Sequence, residues 1–321
     1  MNKDKKKDIV SVTDHIKEFS IEEEILGDYF KASIRRETTI ALVWHAKVNK
    51  DFLNKYPNIR AIVRYGVGYD AIDLKSCKEK GVIVVNTPDY GVDEVSDTAL
   101  AMILSLTRRL NIFQFNALAN NAYWLGKEIP FKVKRLNEMS LGIIGFGRIG
   151  SSIAQKFIPF SRKVSFYDPY IKNGIEKVFN VSRIENLNEL LEQSDIISIN
   201  TPLTEETKGI INEDFINRLK RGSYLINTSR GKLVEDQKHI LEGIRSGILE
   251  GYATDVWKEE PPSENDIFLQ ELKNDPQLYN KVIITPHTAY FSDAALKEAR
   301  IKASKSCLNI IKNKYISNRI V

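Results

Sequence analysis

The chain has 321 residues, 42% of them hydrophobic and 28% charged, which is the balance of a globular protein with room for two domains and excludes a largely disordered one. Its 47 basic residues are interleaved with 42 acidic ones for a net charge of +5, so no basic face points to nucleic acid; the one dense run, Lys3 with Lys5, Lys6 and Lys7, reads as a solvated, frayed terminus. No apolar run approaches the roughly 20 residues of a membrane span, and the start MNKDKKKD lacks the apolar stretch of a signal peptide, so a cytoplasmic protein with no membrane partner is expected.

Asp8 to Val12 reads as a first strand, followed by a surface helix carrying Ile16, Phe19, Ile25 and Phe30 among charges. Thr39 to His45 gives a second strand, NIRAIVRYG a third and Gly81 to Pro88 a fourth, with the helices KDFLNKYP and LKSCKEKG between them. Strand and helix alternating through short polar joints predict a parallel sheet covered on both faces, a first α/β domain. Cys77 and Cys307, with no CxxC pair, read as buried structural residues. Strand three runs into Arg64-Tyr65-Gly66-Val67-Gly68 and strand four into Asn86-Thr87-Pro88-Asp89-Tyr90-Gly91, both at carboxyl ends, where open α/β sheets place ligands.

Asp93 to Leu110 is expected to be a long, mostly apolar helix that crosses between two domains, and Asn111 to Asn137, without period, to be an extended arm. The arm's aromatics Phe113, Phe115, Trp124 and Phe131 suit packing on another subunit or back on their own domain.

LGIIGFGRIG, Leu141 to Gly150, reads as a strand, a glycine turn and a helix start. In a dinucleotide site Gly145 allows the turn, Gly147 lets the backbone approach a pyrophosphate, and Gly150 lets the helix pack on the strand. The next strand, Arg162 to Tyr170, carries Asp168 about 20 residues beyond the glycines, where an acid meets the adenosine ribose and repels a 2′-phosphate, which favours NAD over NADP. Strands at Asp195 to Asn200, Ser223 to Ser229, Glu250 to Val256 and Lys281 to His287, separated by helices, complete a second doubly wound sheet, and a last amphipathic helix from Asp293 returns the chain to the first domain.

Of four histidines, His15, His45 and His239 have ordinary surface contexts, whereas His287 ends a strand after Pro286. Arg230 ends another strand and Glu260 follows a third. Hydride transfer between an alcohol and a ketone needs a base that titrates near neutrality, a carboxylate to hold it as imidazolium, and a cation to bind a carboxylate and polarise a carbonyl. His287, Glu260 and Arg230 match those needs in that order. No His/Cys cluster supports a zinc mechanism, and no metal is expected.

The motifs VGYDAID, NTPDYGVDEVSD, LGIIGFGRIG, FYDPY, NTPLTEET, INTSRGKLVE, ATDVWKEEPP and ITPHTAY, in this order, resemble the D-isomer-specific 2-hydroxyacid dehydrogenases over nearly the whole chain. The resemblance implies a Rossmann NAD-binding domain, residues 98–289, inserted in a flavodoxin-like substrate domain of residues 1–97 and 290–321, with a dimerisation arm near 108–140 and a homodimer. It implies Arg230, Glu260 and His287 as catalytic residues, with Val67 and Gly68 amides, Arg64, Tyr90 and Tyr290 at the substrate, a small 2-keto or 2-hydroxy acid. It adds Arg148, Ile149, Thr201, Thr228, Ser229 and Asp255 to the cofactor site. Asn200 departs from the family's commoner histidine, and Glu260 is chosen over Glu259 because it precedes Pro261. Tyr290 and Arg64 place the chain nearest the corepressor-like subgroup. That leaves an NAD(H)-sensing scaffold as an alternative to an enzyme, and a phosphite-type dehydrogenase as another; formate chemistry, which pairs histidine with glutamine, is disfavoured by Glu260.

Overall fold

Short, mostly apolar runs bounded by polar joints form the central strands of the computed structural model, which describes residues 7–118, 124, 129 and 131–321. The chain divides into two units, one made of the residues up to Gly91 together with Phe291–Val321, the other of Val92–Tyr290.

In the first unit β1 (Val10–Val12), β2 (Phe30–Lys31), β3 (Ile40–Val43), β4 (Ala61–Arg64) and β5 (Ile83–Val85) form one sheet in the order β2-β1-β3-β4-β5, every pair parallel. That is the flavodoxin-like order. Four strands are expected from sequence; the fifth, β2, is a two-residue edge with no room for a periodic signal. β3 is buried along its whole length, as a strand covered on both faces must be. Helix starts are marked by side chains that accept orphan amides: Asn49 from Phe52 at 2.9 Å, Asp73 from Ser76 at 3.0 Å and Ser292 from Ala295 at 2.9 Å, each such cap contributing about 1 kcal/mol.

The helix Asp293–Ile311 buries Ala295, Ala299, Ala303, Cys307 and Ile310, a stripe of mostly small side chains that lets it lie close to the helix Ser20–Leu26. At their contact Glu22 is fully buried and accepts from Arg300 Nε at 3.0 Å and from the Tyr65 hydroxyl at 2.9 Å. Both cysteines are buried and free, and burial pushes each thiol above its usual value.

In the second unit β6 (Leu141–Ile144), β7 (Val164–Tyr167), β8 (Ser182–Arg183), β9 (Ile196–Ile199), β10 (Ser223–Asn227), β11 (Leu249–Thr254) and β12 (Val282–Ile284) form an all-parallel sheet ordered β12-β11-β10-β9-β6-β7-β8. The chain starts in the middle at β6, winds to one edge, then crosses to β9 and winds to the other, the Rossmann order with one further strand. Side chains alternate between two cores: Leu141 and Ile143 face one with Ile226, while Ile144 faces the other with Ile199 and Leu225. Six strands are expected from sequence, and again the additional one, β8, is a two-residue edge.

The helix Val92–Thr107 belongs wholly to this unit, because Ala99, Met102, Ile103 and Leu106 form part of its core. A break at residues 97 and 98 would cut that helix in mid-span, and Tyr290 also falls in this unit. The expected extended arm is corrected in part: Leu110–Leu118 is a helix, hidden in the sequence because its apolar residues point all round and leave no period. Phe113 and Phe131 pack ring to ring at 5.7 Å, whereas Phe115, Leu118 and Trp124 are exposed; residues 119–123, 125–128 and 130 of the arm lie outside the described residues. Among the described residues no helix is long and apolar enough to cross a membrane.

Candidate active site

The strand order of the second unit reverses between β6 and β9, the kind of switch point at whose carboxyl ends open sheets bind ligands. The glycine turn lies there. Gly145 has φ +87°, and a Cβ on it would come 2.7 Å from the Asn200 carbonyl oxygen. A Cβ on Gly150 would come 2.1 Å from the Gly145 carbonyl oxygen, so any side chain would push the helix Arg148–Phe157 off β6. Gly147, the residue before that helix, has no atom within 4 Å of its would-be Cβ and no side chain capping the helix amides, the arrangement that leaves a helix N-terminus open to an anion. Arg148 and Ile149 open the helix.

Asp168 stands at the end of β7, its Oδ2 accepting from Phe146 N at 2.8 Å and its Oδ1 from Tyr170 N at 2.9 Å. The carboxylate is thereby tied to the glycine turn itself. At the ends of β9 and β10, Asn200 Oδ1, Thr201 Oγ1 and Thr228 Oγ1 are buried without a hydrogen-bond partner. Buried polar atoms are rarely left so unless a ligand or water completes them, and together with the open glycine turn they fit a dinucleotide. Ser229 is differently placed: its hydroxyl donates to Ile199 O at 2.9 Å and its amide to Asn227 Oδ1 at 3.0 Å, so it braces the strand ends.

Asp255, 2% exposed, also has a bracing role that sequence reasoning missed. Its Oδ1 accepts from Thr285 Oγ1 at 2.6 Å and Thr288 N at 2.8 Å, its Oδ2 from Ala289 N at 2.9 Å, and its carbonyl from His287 N at 2.8 Å. These four bonds hold the turn on which His287 sits at φ +55°. Burial pushes the Asp255 carboxyl above its usual value, against the lowering pull of those donors and of the His287 charge.

From that turn His287 Nδ1 reaches Glu260 Oε2 at 2.6 Å, while Glu260 Oε1 accepts from Trp257 N at 2.8 Å. Facing a carboxylate, Nδ1 carries the proton and Nε2 is left for a substrate. Burial would raise the Glu260 carboxyl, but the hydrogen bonds from His287 and Trp257 and the charges of His287 and Arg230 outweigh it and hold it below the ordinary value. Arg230 is thus electrostatically part of the pair; its backbone is extended at φ −145° and its Nη1 donates to Ser229 O at 2.6 Å. Gly231, just after it, passes directly against Trp257. Tyr290 lies edge-on to His287, ring centroids 6.4 Å apart. Arg230, Glu260, His287 and Tyr290, four sequence-derived candidates spread over 60 residues, are therefore gathered in one unit.

Arg64, Val67, Gly68 and Tyr90 belong to the first unit, at the carboxyl ends of β4 and β5. His15 and His45 are also there, their rings 5.1 Å apart beside Trp44. His239 is buried in the second unit and reaches Glu235 at 3.3 Å.

The model of the D-isomer specific 2-hydroxyacid dehydrogenase NAD-binding domain matches residues 100–289, and the chain belongs to this family, its second unit being that NAD-binding domain. D-3-phosphoglycerate dehydrogenase of Methanocaldococcus jannaschii is 29% identical over 311 residues, 97% of this chain and 57% of that protein. The Bacillus subtilis (strain 168) protein of the same name is 36% identical over 261 residues, 80% of this chain and 46% of that one. The chain spans about half the length of these curated relatives. The crystal structure of D-lactate dehydrogenase from Aquifex aeolicus, complexed with NAD and lactic acid, superposes with a TM-score of 0.81 at 30% identity, covering 97% of this chain and 99% of that one.

Proposed function

We propose that the protein is an NAD-dependent oxidoreductase interconverting a small 2-keto acid and a D-2-hydroxy acid. The observation that carries this reading is the 2.6 Å bond between His287 Nδ1 and Glu260 Oε2 within the electrostatic reach of Arg230. NAD supplies or accepts the hydride. In the reducing direction the His287 imidazolium gives its Nε2 proton to the carbonyl oxygen, and in the oxidising direction neutral His287 takes the hydroxyl proton. Glu260 fixes the ring and compensates its positive charge. The Arg230 guanidinium binds the substrate carboxylate and stabilises negative charge on the carbonyl oxygen as reduction proceeds. The family resemblance assigns the Val67 and Gly68 amides to a substrate carboxylate as well, and the side chains of Arg64, Tyr90 and Tyr290 to the rest of the acid. Gly145, Gly147, Arg148, Ile149 and Gly150 take the pyrophosphate, Asp168 the adenosine ribose, and Thr201, Thr228 and the Asp255 turn the nicotinamide side. The D-lactate dehydrogenase structure, with its bound NAD and lactic acid, supports this choice of ligands. The exposed Phe115, Leu118 and Trp124 provide the apolar surface for a homodimer.

The test is NADH oxidation with a panel of 2-keto acids. Turnover that falls by about 10²-fold or more in Arg230→Ala and His287→Ala is expected, with NADH affinity changed by no more than about threefold in His287→Ala. No turnover on any acid, with tight NADH binding, would instead favour the dinucleotide-sensing scaffold.

A further inference from the structure

What aims the two amides assigned to the substrate carboxylate is visible at the end of β5, where Asn86 and Thr87 turn back on the loop after β4. Thr87 N donates to the Gly66 carbonyl at 3.0 Å, and Asn86 Nδ2 donates to the Val67 carbonyl at 2.8 Å. A trans peptide group holds its C=O and N–H on opposite sides of one plane. The Gly66 carbonyl shares its peptide group with the Val67 amide, and the Val67 carbonyl shares its group with the Gly68 amide. Each donor from β5 therefore points one of these N–H groups away from β5, and a bond accepted at the carbonyl also polarises the group and makes its N–H a stronger donor.

The neighbouring amide is occupied, since Gly66 N donates to Thr87 Oγ1 at 2.6 Å, and Thr87 Oγ1 in turn donates to Arg64 O at 3.2 Å. Asn86 and Thr87 are 6% and 0% exposed, so water does not compete for these bonds. Asn86 is itself held from behind: its amide donates to Asn318 O at 3.3 Å, and Ile320 N donates to Val84 O at 2.8 Å, an antiparallel segment laid along β5.

We propose that Asn86 is a positioning residue for substrate specificity: its carboxamide sets the plane of the Val67–Gly68 peptide, and thereby the direction and donor strength of the Gly68 N–H toward the carboxylate of a 2-keto acid. This rests on the function proposed above. Asn86 acts on the acid and not on the dinucleotide, so its loss separates the two affinities.

The experiment takes the full chain, the best-used acid of a panel of glyoxylate, pyruvate, hydroxypyruvate and 2-ketobutyrate, and NADH binding followed by fluorescence. Asn86→Ala is expected to raise KM for the acid about tenfold, the worth of one buried hydrogen bond, with kcat within about threefold and NADH affinity within about twofold. Asn86→Asp keeps the shape but exchanges the donor for a carboxylate, so KM rises further; it also serves if the alanine variant is poorly folded. An active wild type whose KM moves less than about twofold in both variants overturns the proposal, as does a parallel loss of NADH affinity, which marks a general fold defect. A wild type that turns over none of the acids overturns the functional reading first, and this proposal with it.

Discussion

A Cβ on Gly231 would lie 1.9 Å from the carbonyl carbon of Trp257 and 2.4 Å from the amide nitrogen of Lys258. The turn carrying Arg230 and the turn leading to Glu260 thus meet backbone to backbone, and only glycine permits it. Gly231→Ala must open that contact, moving Arg230 away from Glu260 or distorting the Trp257 amide that holds Glu260 Oε1. The expected result is a kcat/KM for the keto acid lower by about 10²-fold and a stability loss of about 3 kcal/mol. Steady-state kinetics and urea unfolding check it; wild-type kinetics in the variant would show the approach to be irrelevant to the site.

Glu260→Gln removes the charge facing the His287 ring while keeping an acceptor of the same shape. Because Glu260 is held below the ordinary carboxylate value, it is anionic across the neutral range and its benefit is present there in full. The variant is expected to lose about 10²-fold in keto-acid reduction at neutral pH, because the charge that compensates the His287 ring in the reaction is gone. Steady-state kinetics at neutral pH check it, and a variant with wild-type kcat/KM would refute the role given to Glu260.

Asp168 bridges the glycine turn and its own loop, so a 2′-phosphate at that place would meet a fixed negative charge. Asp168→Ala is expected to lower the preference for NAD over NADP by about 10-fold or more, measured as the ratio of kcat/KM values. A wild type that already prefers NADPH contradicts the assignment outright.

Asp195, at the opposite end of the sheet, bears on stability. Its carboxylate accepts from Lys220 at 2.9 Å, Ser140 N at 3.0 Å and Lys134 at 3.1 Å. Burial would raise it, yet these donors hold it down at about 2 against an ordinary 3.8. A group depressed by folding stabilises the protein above its unfolded value and ceases to do so as pH falls through its folded value. Asp195→Asn is therefore expected to cost about 2 kcal/mol at neutral pH, with the gap to wild type unchanged at pH 5 and closing only between about pH 4 and 2. Urea midpoints at pH 7, 5 and 3.5 test the sign.

Much of this site could be read locally. The glycine turn and Asp168 announce themselves because close packing and ribose contact depend on spacing within one βαβ segment, and Arg230, Glu260 and His287 because strand ends are places where ligands bind. What escaped depends on contacts between distant positions. Asp255 is a brace because residues 285 to 289 fold over it, and Gly231 is indispensable because Trp257 lies against it. Neither partner is near in sequence. β2 and β8 escaped for a different reason: two residues carry no alternation, and their pairing is decided by the neighbouring strand. The helix Leu110–Leu118 was obscured by apolar residues on every side, which erase the period that marks an amphipathic helix.

The buried Glu22 has a consequence for how the chain is made. Its partner Arg300 lies 278 residues further on, whereas Val92–Tyr290 is one uninterrupted stretch. On the ribosome the dinucleotide unit can close as soon as its last strand has emerged, but the first unit has to wait, with an uncompensated carboxylate at its unfinished core, until the final helix arrives. The order of completion is the reverse of the order of synthesis: the unit begun first is finished last, and a nascent chain stalled before Arg300 would display a folded nucleotide-binding unit beside an open sheet.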